Sequence, residues 1–359
     1  EIQDKMERNR IHINVLLLLA VLVVLDISSP DNIESSPEKT HRKATAEQPF
    51  PKDTIYILGH PGVPSGMGSQ LMNMLSHKLL FNDMGRNFIV DTSAYSYRWN
   101  DTVGLLTGYF TPEFQVIDNK NQHPNIKKEY NLEHYPKLSS FEEIINTSHP
   151  VLVTALRAPT RKFISNQYDT RSLEFYNRMA REACVHLQFN AQTLKEIERV
   201  KAQNQIPDFL QGTTVAFHVR RGDKLKRESK LYKGLKYVNK LLKITNKQID
   251  NCFIASGDYA AVEEVTKALQ DRHVNCTIYT LTSPSEHGAS SAYKKSNKTD
   301  TITFLSEMSV LIDATYFIGT FNSNVGALVS LKRKCVHQDA LHYANSYGVD
   351  TDNWYIIGL

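Results

Sequence analysis

Cysteine is scarce: there are four in 359 residues, Cys184, Cys252, Cys276 and Cys335. None stands at zinc-ligand spacing from another cysteine or a histidine, which argues against a zinc module. Charge of one sign is also in short supply. The formal net charge is +4, and there is no arginine-rich helix and no aromatic-basic repeat, so the electrostatic footprint of a nucleic-acid binder is missing. The Asp-x-Asp pair of a metal-dependent transferase is represented by Asp350-Thr351-Asp352, which falls beyond the last clear secondary-structure signal. No metal site is expected. What remains is ordinary globular material, 41% hydrophobic and 22% charged, in a chain long enough for one large domain or two ordinary ones.

The long apolar run stands near the start. Arg8 and Arg10 precede residues 11–27, which are interrupted only by His12, Asn14 and Asp26. A spanning helix needs about 17–25 apolar residues, and basic residues on the N-terminal side hold that side in the cytosol. The expectation is a cytosolic tail over 1–10, a transmembrane signal anchor over 11–27, and a lumenal remainder; a cleaved signal peptide is the competing reading. Residues 28–50 are rich in Ser, Pro, Glu, Lys and Thr, with too little apolar content to fold, and read as a stem. Lumenal exposure fits Asn-x-Ser/Thr sequons at Asn100, Asn146, Asn275 and Asn297, which should lie at the surface. Cys252 and Cys276 each open an apolar run. If these are neighbouring parallel strands, a disulfide can join their N-terminal ends.

The chain is organised around Thr213-Thr214-Val215-Ala216-Phe217-His218-Val219-Arg220-Arg221-Gly222-Asp223-Lys224. β-branched and apolar residues make this a buried strand. It ends in two arginines, whose planar forks match phosphate oxygens in pairs. Ligands of open α/β sheets sit beyond the carboxyl ends of the strands, so a diphosphate site is implied. A salt-bridged surface loop is the alternative. Alternation across a strand allows at most one of the two arginines to point squarely into a cleft.

Other strand ends carry compatible chemistry. The strand Thr54–Leu58 is followed by a turn with Gly59, Gly62, Gly66 and Gly68, then by a helix over Leu71–Phe81. Such a turn offers backbone N–H groups to an anion. Asn87–Asp91 is a strand, and Tyr95-Ser96-Tyr97-Arg98-Trp99 after it suits either sugar stacking or a packed loop. Residues 119–136 read as a loop on the acceptor side, and helices follow over 172–181 and 191–200. After the central strand come a helix over 234–244, a strand from Cys252 ending at Asp258, a helix over 259–270 and a strand over 274–281. That is a parallel βαβ rhythm. A helix over 300–311, with Asp300 as its cap, leads to a strand, a hydroxyl-rich turn and a helix over 316–329. There Ser323 and the helix N-terminus can take a second phosphate.

His218-Val219-Arg220-Arg221-x-Asp223-Lys224 resembles the signature of the GDP-fucose-dependent fucosyltransferases. The lysine points to the α-1,6 (core-fucose) type and its relatives. Gly66-x-Gly68-x-Gln70-Leu71 resembles that family's glycine turn at the lip of the donor cleft, and Phe321-Asn322-Ser323 its last phosphate-binding turn. The resemblance runs from about Thr54 to Leu331. It implies a GT-B-like α/β fold of two Rossmann-like halves, 51–200 on the acceptor side and 201–359 binding GDP-fucose. It implies Arg220, Lys224 and Glu228 as catalytic residues. His218, Arg220, Arg221, Asp223, Asp258, Glu307, Ser323, Gly66 and Gly68 form the donor set, with His218 and Glu307 on guanine. Glu228 would take the acceptor proton. The sequence departs from the family in lacking the cysteines that flank its glycine turn and in having Glu307 where the family has aspartate. The implied activity is inverting transfer of fucose from GDP-fucose to a glycan acceptor, in α-1,6 linkage to N-glycan cores, in a Golgi type II membrane protein. Alternatives are α-1,2 or protein O-fucosylation, or a non-catalytic lumenal sugar-binding protein.

Overall fold

The structure is a computed structural model describing residues 55–58, 66–85, 87–92, 95, 97–118, 151–154, 168–169, 172–221, 231–286, 297–336 and 345–350. The expected anchor at 11–27, the stem at 28–50, the acceptor-side loop at 119–136 and the sequon at Asn146 lie outside them. Among the described residues, no helix is long and apolar enough to cross a membrane.

Two parallel sheets form the frame. The first contains β1 (Ile55–Leu58), β2 (Asn87–Asp91), β3 (Gln115–Ile117) and β4 (Val151–Thr154), in the order β3-β2-β1-β4. Helices α1 (Met67–Asp83) and α2 (Leu105–Tyr109) provide the first two crossovers, and α3 (Leu173–His186) and α4 (Ala191–Gln203) follow β4. The second sheet contains β5 (Thr214–Val219), β6 (Asn251–Ser256), β7 (Thr277–Tyr279), β8 (Tyr316–Gly319) and β9 (Ser346–Gly348), in the order β7-β6-β5-β8-β9. Its connections are α5 (Gly234–Ile244), α6 (Tyr259–Asp271), α7 (Lys298–Asp313) and α8 (Asn324–Val336). Both orders reverse beside the first strand of the sheet, which is the doubly wound pattern.

β5 is buried along its whole length, as a central parallel strand must be. Its side chains divide by alternation. Val215, Phe217 and Val219 face a core made with α5 and α6, joined there by Cys252 and Ile254 of β6. Ala216 faces the other core, with Phe253, Phe317 and residues of α1, α3, α7 and α8. That second core is shared by the helices of both sheets.

Helix α8 carries most of the connection. Tyr176 on α3 donates its hydroxyl to Ser330 O at 3.1 Å, and Lys332 reaches Leu187 O at the end of α3 at 2.9 Å. Lys334 bonds Asn177, and Cys184 is joined to Cys335 in a disulfide across 151 residues of sequence. Burial pulls the Lys332 pKa down to about 8, and the carbonyl end of α3 is a favourable place for the charge it keeps. Arg333 is fully buried. Its guanidinium donates to the carbonyls of Leu311, Ile312, Ala314 and Thr315 and to Ser346 Oγ. It thereby satisfies the open C-terminal carbonyls of α7 and fixes the entry to β8. Burial lowers its pKa to about 10, opposed by Tyr176 and Asp313, so it remains charged at neutral pH.

Several expectations change in detail. The cap of α7 is Asn297, whose side chain accepts from the Asp300 N–H at 2.8 Å; Asp300 is the bonded residue rather than the cap. Cys252 and Cys276 are disulfide-bonded at the N-terminal ends of β6 and β7. The second disulfide, β3, β4 and β9 were not anticipated. Sequon residues Asn100, Asn275 and Asn297 are exposed. Arg333→Met should lower unfolding free energy by about 3 kcal/mol or more, because three buried carbonyls and a partly buried one lose their donor. Denaturant titration measures this, and a loss under about 1 kcal/mol would show the carbonyls are satisfied otherwise.

Candidate functional site

The second sheet reverses order between β5 and β8, and the crevice at such a reversal is where α/β sheets place ligands. The ends of these strands bring together His218, Arg220 and the turn from Thr320 to Ser323 that opens α8. Thr320 N–H bonds His218 O at 3.3 Å, and Ser323 N–H bonds Thr320 O at 3.2 Å. Ser323 is buried at the head of α8, whose first N–H groups have no partner within the helix. A Cβ on Gly326 would lie 2.4 Å from Thr320 O and 3.6 Å from His218 Nδ1. Glycine is therefore what lets the first turn of α8 close on the Thr320 carbonyl, with the imidazole at ordinary contact distance beside it.

His218 is buried, and its Nδ1 has no hydrogen-bond partner among the described residues. Burial, with the Arg220 charge adding to it, drives its pKa down to about 3. The ring is neutral at physiological pH and can bond a ligand. A buried nitrogen left without a partner costs roughly 1–3 kcal/mol, so its presence here needs an explanation, and a ligand is a direct one.

The two arginines separate by face. Val219 points to the α5/α6 core, and Arg221 continues on that side. It is buried; its guanidinium donates to Glu264 Oε2 at 2.8 Å and to Tyr232 O at 2.8 Å. Glu264 also accepts from Gly234 N–H at 3.0 Å, so this pair fixes the start of α5. Arg221, expected among the donor ligands, is taken up inside the protein instead. Arg220 shares the His218 side and is only half-buried.

The turn itself is fastened by a residue whose role the sequence did not disclose. Asp350, just beyond β9, accepts from Phe321 N–H at 2.8 Å and Asn322 N–H at 2.7 Å. Its place after an unrecognised strand hid it, and it holds a backbone turn; Asp352 lies outside the described residues. Tyr237 on α5 adds a bond from its hydroxyl to Thr320 Oγ1 at 2.5 Å, and burial raises its pKa to about 12.

The start of α1 meets the start of α8. Gly66 caps α1 without a side-chain bond. A Cβ on Gly68 would sit 3.0 Å from Val325 Cγ2 and 3.2 Å from Val325 N. The N-terminal ends of α1 and α8 are thus in contact, which places two anion-favouring helix ends side by side. Tyr95 and Tyr97 are buried, and Trp99 packs on Tyr109 with the Lys298 ammonium 3.7 Å above its ring, so this segment is chiefly a packed loop.

Asp258 and Glu307 lie on other elements. Asp258 caps α6, accepting from Ala260 N–H at 3.1 Å. Glu307 lies on α7 and makes no hydrogen bond among the described residues. Part of it reaches solvent, yet burial of its carboxyl, with the Glu286 charge as a second cause, raises its pKa to about 8. Asp223, Lys224 and Glu228 lie outside the described residues. Among the described residues, no group of three or more His, Cys, Asp or Glu side chains could hold a metal ion.

No family model matches the chain, and no curated protein matches it. Solved structures do resemble it. A NodZ α-1,6-fucosyltransferase soaked with GDP-fucose is 11% identical, with a TM-score of 0.48 over 77% of this chain and 92% of that one. POFUT1 in complex with GDP is 10% identical, with a TM-score of 0.47 over 80% and 97%. A variant of Arabidopsis thaliana FUT1 with GDP is 11% identical, with a TM-score of 0.46 over 78% and 68%. The functional reading rests on the site's own geometry.

Arg221→Met should behave as a stability variant. It leaves Glu264 and the Tyr232 carbonyl without their donor and should lower unfolding free energy by about 2 kcal/mol. Thermal melts beside nucleotide titrations check this: full stability with lost nucleotide binding would return Arg221 to the ligand site.

Proposed function

We propose that this chain is an inverting fucosyltransferase that takes fucose from GDP-fucose. The observation that carries the reading is the unpartnered His218 imidazole, buried beside Arg220 under the head of α8. A site with a neutral hydrogen-bonding ring, one half-buried guanidinium and a helix N-terminus suits a nucleoside diphosphate. The sequence signature selects GDP-fucose among such ligands.

In this reading the diphosphate lies against Arg220 and the first turn of α8, near Ser323. The acceptor oxygen attacks the anomeric carbon from the face opposite GDP. The bond to the diphosphate oxygen breaks as the new glycosidic bond forms, and the acceptor proton passes to Glu228. Charge accumulates on the β-phosphate during bond breaking. Arg220 stabilises that charge more than the ground state, in place of a metal ion. Lys224 steadies Glu228 or the departing diphosphate, with Asp223 beside it. Gly66 and Gly68 give the backbone close approach at the cleft's lip. Transfer to a glycan, in α-1,6 linkage to N-glycan cores, from a Golgi type II membrane anchor over 11–27, belongs to the same proposal. The signature's lysine supports the linkage, and the apolar run with its basic flank supports the anchor. The halves at 51–200 and 201–359 serve as acceptor and donor sides.

GDP should bind far more tightly than UDP or ADP. Arg220→Lys should lower transfer by on the order of 10²–10³, with little rescue from the retained charge. Glu228→Gln should keep GDP binding and lose transfer. Turnover should survive EDTA. Equal affinity for the three nucleotides would remove the donor assignment, and GDP binding without transfer to any glycan would leave a sugar-binding protein.

A pH test addresses Glu307. A guanine edge donates from two N–H groups and requires the carboxylate. With a pKa of about 8, the carboxyl is protonated at neutral pH and must lose that proton on binding. GDP affinity should therefore rise as pH climbs towards 8, by up to about tenfold per unit, and then level off. Calorimetry across this pH range reads it. The same slope in Glu307→Gln would place the titrating group elsewhere.

A further inference from the structure

At the C-terminal end of β9, a cavity of about 340 Å³ lies between α5 and the chain leaving that strand. Its α5 wall carries Lys236, Asn239, Lys240 and Lys243, and Asp350 lies opposite. The lysines occupy positions i, i+4 and i+7, which puts them on one strip of the helix. Helix α5 contains no acidic residue. Among the described residues, neither Lys236 nor Lys243 has an ion pair, and the Lys236 ammonium lies 3.8 Å from the Tyr232 ring, a cation–π contact. Like charges one turn apart destabilise a helix unless something neutralises them. The one acid among the described residues at the cavity, Asp350, offsets one of the three lysines and leaves the formal charge of the lining at +2.

We infer that this cavity is a binding site for a sulfated saccharide. Its charge is positive, Asn239 adds an amide donor and acceptor, and its volume stands at the small end of ligand sites, with room for one or two sugar rings. All its cations are lysines. Lysine is a point charge that tolerates a sulfate in many orientations. An anionic membrane is the competing partner, since Leu235 and Leu242 are exposed on the same helix. It is disfavoured because the lysines line a hollow bounded on its other side by Gly348, Val349 and Asp350, and the leucines are not among its lining. Because Asp350 also fastens the turn before α8, a saccharide held here would sit beside the frame of the nucleotide site without using its ligands.

The test is calorimetric titration of the whole protein with a heparin-derived tetrasaccharide and with its desulfated form. The sulfated form should bind, more weakly as salt rises, and the desulfated form should not. Lys236→Gln/Lys243→Gln should weaken binding by about tenfold or more, while its melting temperature and GDP affinity stay at parent values. The exposed control pair Lys195→Gln/Lys267→Gln removes the same charge elsewhere and should change binding less than about twofold. Three results overturn the proposal: no binding by the parent, an equal loss in the control pair, or binding to phosphatidylserine vesicles in place of the tetrasaccharide.

Discussion

The position of α8 depends on one side chain. Arg333 lies at the buried end of the helix and donates to the last carbonyls of α7 and to the segment entering β8. A guanidinium can do this because its five N–H donors spread in a plane wide enough to reach carbonyls from successive residues. Two residues further on, Cys335 is bonded to α3. One end of α8 is thus held by α3, α7 and β8, while the other end opens onto the strand termini. A helix is stiff over this length, so anchoring its C-terminal end also fixes where its N–H groups point. The site inherits its geometry from a hydrogen-bonded knot that takes no part in it.

Alternation along β5 decides the rest. His218 and Arg220 belong to the face covered by α7 and α8; Val219 and Arg221 belong to the face covered by α5 and α6. The two arginines look alike in sequence but have different environments. Arg221 has a carboxylate and a carbonyl in geometry that satisfies its donors, which makes burial of its charge tolerable. The same logic separates two acids. Asp350 sits on two N–H groups and holds a turn, whereas Glu307 has no hydrogen bond among the described residues and is raised to about 8 by burial. Full satisfaction marks the supporting residues, while His218 and Glu307 stand out by the hydrogen bonds they lack among the described residues.

Much of this architecture is legible in the order of the residues. β5, α5, α6 and the turn before α8 have unmistakable patterns, because a strand buried on both faces is continuously apolar and a half-exposed helix repeats every three to four residues. β3, β4 and β9 are three or four residues long and present no such period. Missing β9 meant missing Asp350, whose function comes from the strand that carries it. The division between Arg220 and Arg221 was legible as a rule, yet which arginine faced which way depended on where Glu264 lay, forty-three residues along the chain. The Cys184–Cys335 disulfide has no sequence signal either, since its partners come from different crossovers.

The two titratable groups without hydrogen bonds also pull stability in opposite directions. His218 falls from 6.5 to about 3 on folding. A depressed pKa contributes stability that is present above pH 6.5 and lost as pH falls towards 3, because the unfolded chain takes the proton first. His77, buried on α1 and lowered to about 4, acts in the same sense. Glu307 rises from 4.5 to about 8. Its contribution is present below pH 4.5 and is lost as pH climbs to 8, because the unfolded chain releases the proton first. Near neutral pH the histidines are favourably neutral and Glu307 is held unfavourably protonated. A ligand that donated to Glu307 would reverse that cost, and one that bonded His218 would satisfy the other group. The folded protein therefore holds two separate energetic deficits, an imidazole nitrogen without a hydrogen bond and a carboxyl kept protonated by burial.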